Sequence, residues 1–193
     1  PETQWTKFYL HSWERLRTEP FTEGSRESYA DPDAFVQMPP TQTRDIQKLR
    51  YMTEPLAEDT LVIGPVSLTL YAAIDQEDTN WIVILKDLGP DPSVRTAREG
   101  ERDLPADLPE RELTRGWLKA SMRALDEKRS KPWKPFHKLT RSSRKPVVPG
   151  EINEYNIEIM STGNLFEKGH RICIEITSLD LPSGAGLQTN VEY

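Results

Sequence analysis

Several short runs of this chain alternate apolar and polar residues with a period of two. The apolar residues of Val66–Ile74 recur at every second position, and the same alternation returns in Glu154–Ile159 and Arg171–Thr177. Successive side chains of a β-strand point to opposite faces, so the pattern predicts strands with one buried side. In the last run the three isoleucines share one face, and we expect Cys173 to point away from it.

Two further segments predict strands of other kinds. Trp81–Leu85 is short and apolar on both sides, which is typical of a central strand covered on both faces. Gly116–Arg123 places Leu118, Ala120 and Met122 on one face. The 16 prolines are spread along the chain and argue against long helices. Short strands separated by turns need a second sheet to bury their apolar faces, so we predict an all-β sandwich.

The connections divide the chain into a sandwich core and a different N-terminal part. The polar, proline-rich connections 91–111 and 124–149 are expected to be long loops, and a short helix near Leu104–Glu112 fits the first. Residues 1–45 carry two aromatic-rich patches and are expected to lead in from a preceding domain, whereas 46–193 form the sandwich core of the same single domain. Because the chain begins at proline, we expect a fragment of a longer protein.

Charge and cysteine content restrict the classes of partner. The formal net charge of −6 argues against binding of nucleic acid or an anionic membrane, and no apolar run approaches the roughly 20 residues of a membrane span.

Residues 128–145 contain eight Lys or Arg and no acid. This basic loop is predicted to contact acidic surface of its own domain, with anion binding as the alternative. One cysteine excludes an internal disulfide and is compatible with a cytoplasmic location.

Acyl-transfer chemistry needs a nucleophile, a base and an orienting acid, and the residues of this chain do not supply them in a recognisable pattern. There is no Gly-x-Ser-x-Gly motif. His170 is expected at a strand end, His137 in an irregular loop, and His11 beside Ser12 on the opposite face of a strand. Cys173 is interpreted as a packing residue. The spacing of ligand types predicts no metal site and no cofactor site.

The tryptophans offer a different hypothesis. Trp117, Trp81 and Trp133, together with the N-terminal aromatic residues, are of the type that stacks on sugar rings in carbohydrate-binding sandwiches. Packing in the core or between domains is the alternative that we favour.

Four segments, in order, resemble the C-terminal domain of X-Pro dipeptidyl-peptidase and cocaine-esterase-like (CocE/NonD) serine hydrolases. The stretch Phe8–Leu10 with Tyr29–Pro32 also matches the part that joins the two domains of that family. The four segments are Leu49–Leu70, Leu113–Arg123, Val148–Glu151 and Phe166–Ile172, the last with its Gly-His-Arg-Ile turn.

The resemblance implies a jelly-roll sandwich of the galactose-binding type. In such relatives the Ser-Asp-His triad lies in an α/β-hydrolase domain of the same polypeptide, which would be the partner here, and no catalytic residue is carried over. Trp117, Trp133 and His137 are candidates for contact with that domain or its substrate cleft. Assembly into homo-oligomers is also expected. An autonomous carbohydrate-binding module is the alternative function.

Two departures from the family pattern stand out. Cys173 occupies a position where the family often has arginine, which puts a surface ion pair in doubt. The chain also stops at Tyr193, where relatives usually continue into another strand. We therefore expect a terminal strand to be missing, which would leave a sheet edge open to pairing.

Overall fold

The computed structural model describes residues 4–39, 41–43, 45–89 and 110–180. Within these ranges the chain forms eight strands and three short 3₁₀ helices, the latter at Arg26–Tyr29, Ala120–Met122 and Arg141–Ser143. No described helix is long and apolar enough to cross a membrane. The strands are β1 (Tyr9–His11), β2 (Arg15–Arg17), β3 (Lys48–Met52), β4 (Thr60–Ala72), β5 (Asn80–Leu88), β6 (Glu110–Lys119), β7 (Asn153–Phe166) and β8 (Arg171–Thr177).

The described strands form two sheets that face each other. The large sheet has the order β1-β2-β3-β8-β5-β6, and the small sheet pairs β4 with β7. Apolar side chains from both sheets meet in one core between them. The fully buried members include Val83 on β5, Ile176 on β8, and Tyr155, Ile157 and Phe166 on β7. The predicted all-β sandwich is confirmed, whereas its assignment to the galactose-binding type stays a prediction.

The period-two pattern identified the core faces correctly. Tyr155, Ile157 and Ile159 are at most 1% exposed, and the isoleucines of β8 face the same core. Strand β5 lies between β8 and β6, and both of its faces are largely buried, as its unbroken apolar run predicted. Cys173 points away from the isoleucines and is nevertheless fully buried, because the outer face of β8 is covered as well.

Strand β4 begins earlier than the alternation predicted. It starts at Thr60 and runs through Gly64 and Pro65, where the pairing register with β7 shifts. Gly64 has a φ of 120°, a conformation that favours glycine, and proline has no N–H to give to the ladder. The bulge accommodates both residues inside one continuous strand.

The end of β6 corrects another prediction. The strand ends at Lys119, and Ala120–Met122 form a 3₁₀ turn instead of continuing it. The carboxylate of Asp78 accepts the Ser121 N–H at 2.9 Å and the Ser121 hydroxyl at 2.6 Å. These bonds fix the backbone in the turn, which alternation alone does not reveal.

The N-terminal part joins the large sheet. Hairpin β1–β2 pairs with β3 through a parallel contact between Arg15 and Met52. The short helix expected near 104–112 lies mostly outside the described residues, and its last part, 110–112, belongs to strand β6.

Candidate functional site

The buried side chain of His11 lies between two hydrogen-bond acceptors. His11 is 5% exposed inside hairpin β1–β2, where its Nδ1 lies 2.8 Å from the Glu27 carboxylate and its Nε2 lies 3.0 Å from the Glu19 carbonyl oxygen. Acceptors therefore occupy both ring nitrogens. The arrangement leaves His11 no free nitrogen with which to activate Ser12.

His170 lies in the β7–β8 turn, as the sequence predicted. Its Nδ1 is 2.8 Å from Oδ1 of Asp87, which is 4% exposed on β5. The other oxygen of Asp87 accepts from the Asn164 amide at 3.2 Å and pairs with Arg111 at 3.3 Å. This cluster joins the turn to β5, β6 and β7. An Asp–His pair of this kind resembles part of a catalytic triad, but these four side chains include no hydroxyl or thiol nucleophile.

His137 is half-buried in the loop between β6 and β7. Burial lowers the pKa of its imidazole, against the opposing influence of the Asn156 backbone and the Glu158 carboxylate. Its Nε2 has no hydrogen-bond partner among the described residues. Because this nitrogen atom is itself buried, it is not open to a ligand at the surface.

Cys173, the single cysteine, is unsuited to nucleophilic chemistry. It is fully buried, and burial raises the pKa of its thiol to about 11. The thiolate is the reactive form, so this group is inert in the folded protein. The interpretation of Cys173 as a packing residue agrees with this environment.

The outer face of the large sheet carries an ion network across four strands. Glu175 on β8 is 2% exposed and contacts Lys48 at 3.0 Å, Arg50 at 3.1 Å and Lys86 at 2.9 Å. Lys86 and Arg50 also pair with Glu110 on β6. Burial alone would raise the pKa of Glu175, but its bonds with Lys86 and Lys48 outweigh burial and lower it. Each charge of the network thus has at least one opposite charge within 4 Å.

Trp81, Trp117 and Trp133, which the carbohydrate hypothesis would place on one stacking surface, lie in three different places. Trp81 is 5% exposed and packs in the core against Tyr155. Trp117 points outward from the large sheet, because its neighbours Gly116 and Leu118 face β7. Trp133 lies over the small sheet instead. The three rings therefore share no surface, and nothing in their placement favours the carbohydrate-binding alternative.

Trp133 and His137 belong to one loop, 124–138, that lies on the outer face of the small sheet. The loop is closed by the Asp126 N–H donating to the Phe136 carbonyl and by the Lys138 N–H donating to Ala124. It is held to β4 by the Ser67 hydroxyl, which donates to the Pro132 carbonyl at 2.8 Å. The structure thus brings Trp133 and His137 together and separates them from Trp117.

The indole of Trp5 stacks on that of Trp133. Their ring centroids are 4.6 Å apart with an interplanar angle of 22°, and both rings stay more than a third exposed. Trp5 is the second residue of the described chain, so the N-terminal segment runs directly past loop 124–138. The sequence could not reveal this contact, because 128 positions separate the two tryptophans.

Part of the basic loop contacts acids of its own domain, as expected. Arg144 lies 3.6 Å from the Asp78 carboxylate, and Lys134 lies 4.0 Å from Glu158. Among the described residues, no cluster of three or more His, Cys, Asp or Glu side chains has a geometry suited to a metal ion.

Comparison with known proteins identifies relatives of this chain. The model of a family described as "X-Pro dipeptidyl-peptidase C-terminal non-catalytic domain" matches residues 1–190. A Mycobacterium bovis protein named "Putative serine esterase" is 30% identical over 145 residues, which are 74% of this chain and 20% of that protein. The chain thus spans about a fifth of the length of the curated relatives that it matches.

Solved structures share the fold at lower identity. A CocE/NonD family hydrolase from Staphylococcus aureus aligns with a TM-score of 0.60 and 16% identity, covering 93% of this chain and 30% of that one. An α-amino acid ester hydrolase aligns with a TM-score of 0.56 and 21% identity, covering 90% and 29%. In both cases the match is confined to less than a third of the larger chain.

Proposed function

The chain belongs to the family of X-Pro dipeptidyl-peptidase C-terminal non-catalytic domains, and from this membership we propose that it supports the catalytic domain of a serine hydrolase. That domain would be an α/β-hydrolase domain of the same polypeptide. Support here means three things: stabilising the catalytic domain, lining one side of its substrate cleft and taking part in oligomer assembly. The family match over residues 1–190 is the observation that carries the proposal.

The chemistry of the described residues is consistent with a non-catalytic role. His11 and His170 are held by acceptors, and Cys173 is buried with a raised pKa. The full sequence also lacks a Gly-x-Ser-x-Gly motif. A triad would therefore have to come from outside this chain.

We assign the contact with the catalytic domain to Trp133 and His137. A C-terminal domain is preceded by the rest of its polypeptide, and Trp5 stacks on Trp133 where the described chain begins. Loop 124–138 therefore lies beside the point at which a preceding domain would connect. Trp117 is on the opposite outer face and is not included in this surface.

Three further features belong to the same proposal. Residues 1–193 act as one domain, in which 1–45 lead in from the preceding one. The substrate is an acyl ester, with X-prolyl peptides as the other class that the family description allows; the ester is placed first because the relative at 30% identity is named an esterase. The location is cytoplasmic.

The test uses the full-length polypeptide that carries this domain. A fluorophosphonate probe, which labels activated serines, is expected to modify a serine outside the 193 residues, and the same protein is expected to hydrolyse p-nitrophenyl esters. Peptide mass mapping locates the adduct. A phosphonylated serine within this chain, at a rate comparable with ester turnover, would show that the domain is itself catalytic.

A further inference from the structure

The tip of hairpin β1–β2 holds an aromatic residue in an unfavourable backbone conformation. Trp13 has a φ of 63° and Glu14 a φ of 60°. This left-handed region brings Cβ close to the backbone, so bulky residues rarely occupy it, and hairpin turns usually place glycine or asparagine there. Other interactions must offset the energetic cost of this conformation for a tryptophan.

The structure beneath the tip fixes the turn. Arg15 donates from Nε to the Ser12 carbonyl at 3.0 Å and from Nη2 to the Glu27 carboxylate at 3.0 Å. The Met52 N–H on β3 donates to the Glu14 carbonyl at 3.0 Å. Strained residues persist where the surroundings over-determine them, and they concentrate at functional sites.

The indole itself is presented outward. Trp13 is 52% exposed, with the guanidinium groups of Arg15 and Arg26 at 4.8 Å and 6.0 Å from its ring centroid. Arg15 is already paired with Glu27, whereas Arg26 forms no ion pair with any carboxylate that the structure describes. Tryptophan and arginine are the residues most enriched in the energetic centres of protein interfaces.

We propose that Trp13 and Arg26 form a preorganised docking point for the preceding domain of the same polypeptide. The inference rests on the proposed function. The partner surface is an apolar recess for the indole with a carboxylate at its rim for Arg26.

The position of the hairpin supports this choice of partner. It is the first structural element of a C-terminal domain whose relatives are several times longer. Trp13 is eight residues beyond Trp5, so even a fully extended chain would keep the two within roughly 29 Å. Any domain attached ahead of Trp5 is thus within reach of the hairpin.

Photo-crosslinking in the full-length polypeptide tests the proposal. p-Benzoylphenylalanine replaces Trp13, and in a control protein it replaces Trp117, which is 48% exposed on the outer face of the large sheet. We expect an intramolecular crosslink from residue 13 to a peptide that precedes this chain, in greater yield than from residue 117. Crosslinks from residue 13 that join two copies, reach only this domain, or do not exceed the control would overturn it.

A second variant separates docking from folding. Trp13→Gly removes the indole but suits the positive φ, so the hairpin itself should stay folded. Hydrogen exchange in the full-length protein is expected to rise about tenfold in a segment outside this chain, with hairpin exchange unchanged. Trp117→Ala should leave that segment as in the wild type. If Trp13→Gly also leaves it unchanged while the fluorophosphonate probe still labels a serine outside this chain, the docking inference is wrong and the proposed function stands.

Discussion

The backbone of Gly116 on β6 lies against the carbonyl oxygen of Glu158 on β7, so closely that a Cβ atom at residue 116 would stand 2.0 Å from that oxygen. The large and small sheets approach each other here through main-chain atoms, which cannot move aside as a flexible side chain can. Gly116→Ala is therefore expected to lower the free energy of unfolding by about 3 kcal/mol or more. Urea denaturation followed by tryptophan fluorescence measures the change.

Gly163 on β7 provides the matched control. A Cβ atom there would have its nearest neighbour, a side-chain carbon of Ile63, at 4.0 Å. Gly163→Ala should change the free energy of unfolding by less than about 1 kcal/mol. Equal effects of the two substitutions would contradict the close approach at Gly116.

The pair formed by Asp87 and His170 is expected to be strongly coupled. Asp87 is 4% exposed, and removing it leaves His170 and Asn164 without their shared acceptor. Asp87→Ala should cost about 3 kcal/mol of unfolding free energy, and a double-mutant cycle with His170→Ala should give a coupling of about 1 to 2 kcal/mol. The same cycle on the more exposed pair Glu112–Arg115 should give about 0.5 kcal/mol. A coupling for Asp87–His170 no larger than that control value would show that this pair does not hold the β7–β8 turn to β5.

Asp78 is expected to make stability depend on pH in the acid range. Burial tends to raise its pKa, but hydrogen bonds from Ser121 outweigh burial and lower it below the usual 3.8. A depressed folded pKa means that the stabilisation is complete above the unfolded pKa and is lost as pH falls through the folded value. Asp78→Asn should thus cost about 2 kcal/mol at pH 7 and progressively less below about pH 4.

Unfolding curves between pH 7 and pH 2 measure this dependence. Asp75→Asn, in the same loop but exposed, serves as the control and should follow the wild type across the range. A constant cost of Asp78→Asn at every pH would show that its ionisation is not linked to folding.

Cys173 is expected to report global unfolding. Because it is fully buried with a thiol pKa near 11, it should not react with 5,5′-dithiobis(2-nitrobenzoate) at pH 8 in the native protein. In 6 M guanidinium chloride one thiol per chain should react within the mixing time. Rapid labelling without denaturant would mean that β8 opens in the native state.

The stack of Trp5 on Trp133 is expected to hold the N-terminal segment in place. A double-mutant cycle with Trp5→Ala and Trp133→Ala should give a coupling of about 1 kcal/mol. Trp5→Ala combined with Trp117→Ala should be additive, because Trp117 lies on the opposite outer face. Coupling in both cycles, or in neither, would contradict the separation of the two surfaces.

The sequence predicted those parts of the fold that depend on one-sided burial. The alternation in β7 and β8 follows from a core on one face, so it could be read locally and was confirmed at Tyr155, Ile157 and Ile174. The run Trp81–Leu85 was equally informative, because a strand covered on both faces has no polar side. The alternation placed the start of one strand at Val66, whereas a bulge keeps Gly64 and Pro65 inside the longer strand β4.

The contacts that the sequence could not predict join distant residues. Asp87 and His170 are 83 positions apart, and Asp78 and Ser121 are 43 apart. Nothing in the local pattern marks these residues as partners. Trp117 and Trp133 were both candidates for contact with a catalytic domain, but Trp117 lies on β6 of the large sheet and Trp133 lies in the loop over the small sheet. The strained turn at Trp13 was missed because a tryptophan carries no turn signal.

The pairing between Arg15 and Met52 determines where this chain can be joined to another in a chimaera without breaking a sheet. Hairpin β1–β2 hydrogen-bonds to β3, so the unit that folds together includes residues well before the predicted core at 46. A chimaera joined at residue 46 would leave the edge of β3 without its partner and exposed to aggregation. A recombination point ahead of Trp5 would transfer every strand of the large sheet that the structure describes, and exchange of this domain between hydrolases should respect that limit.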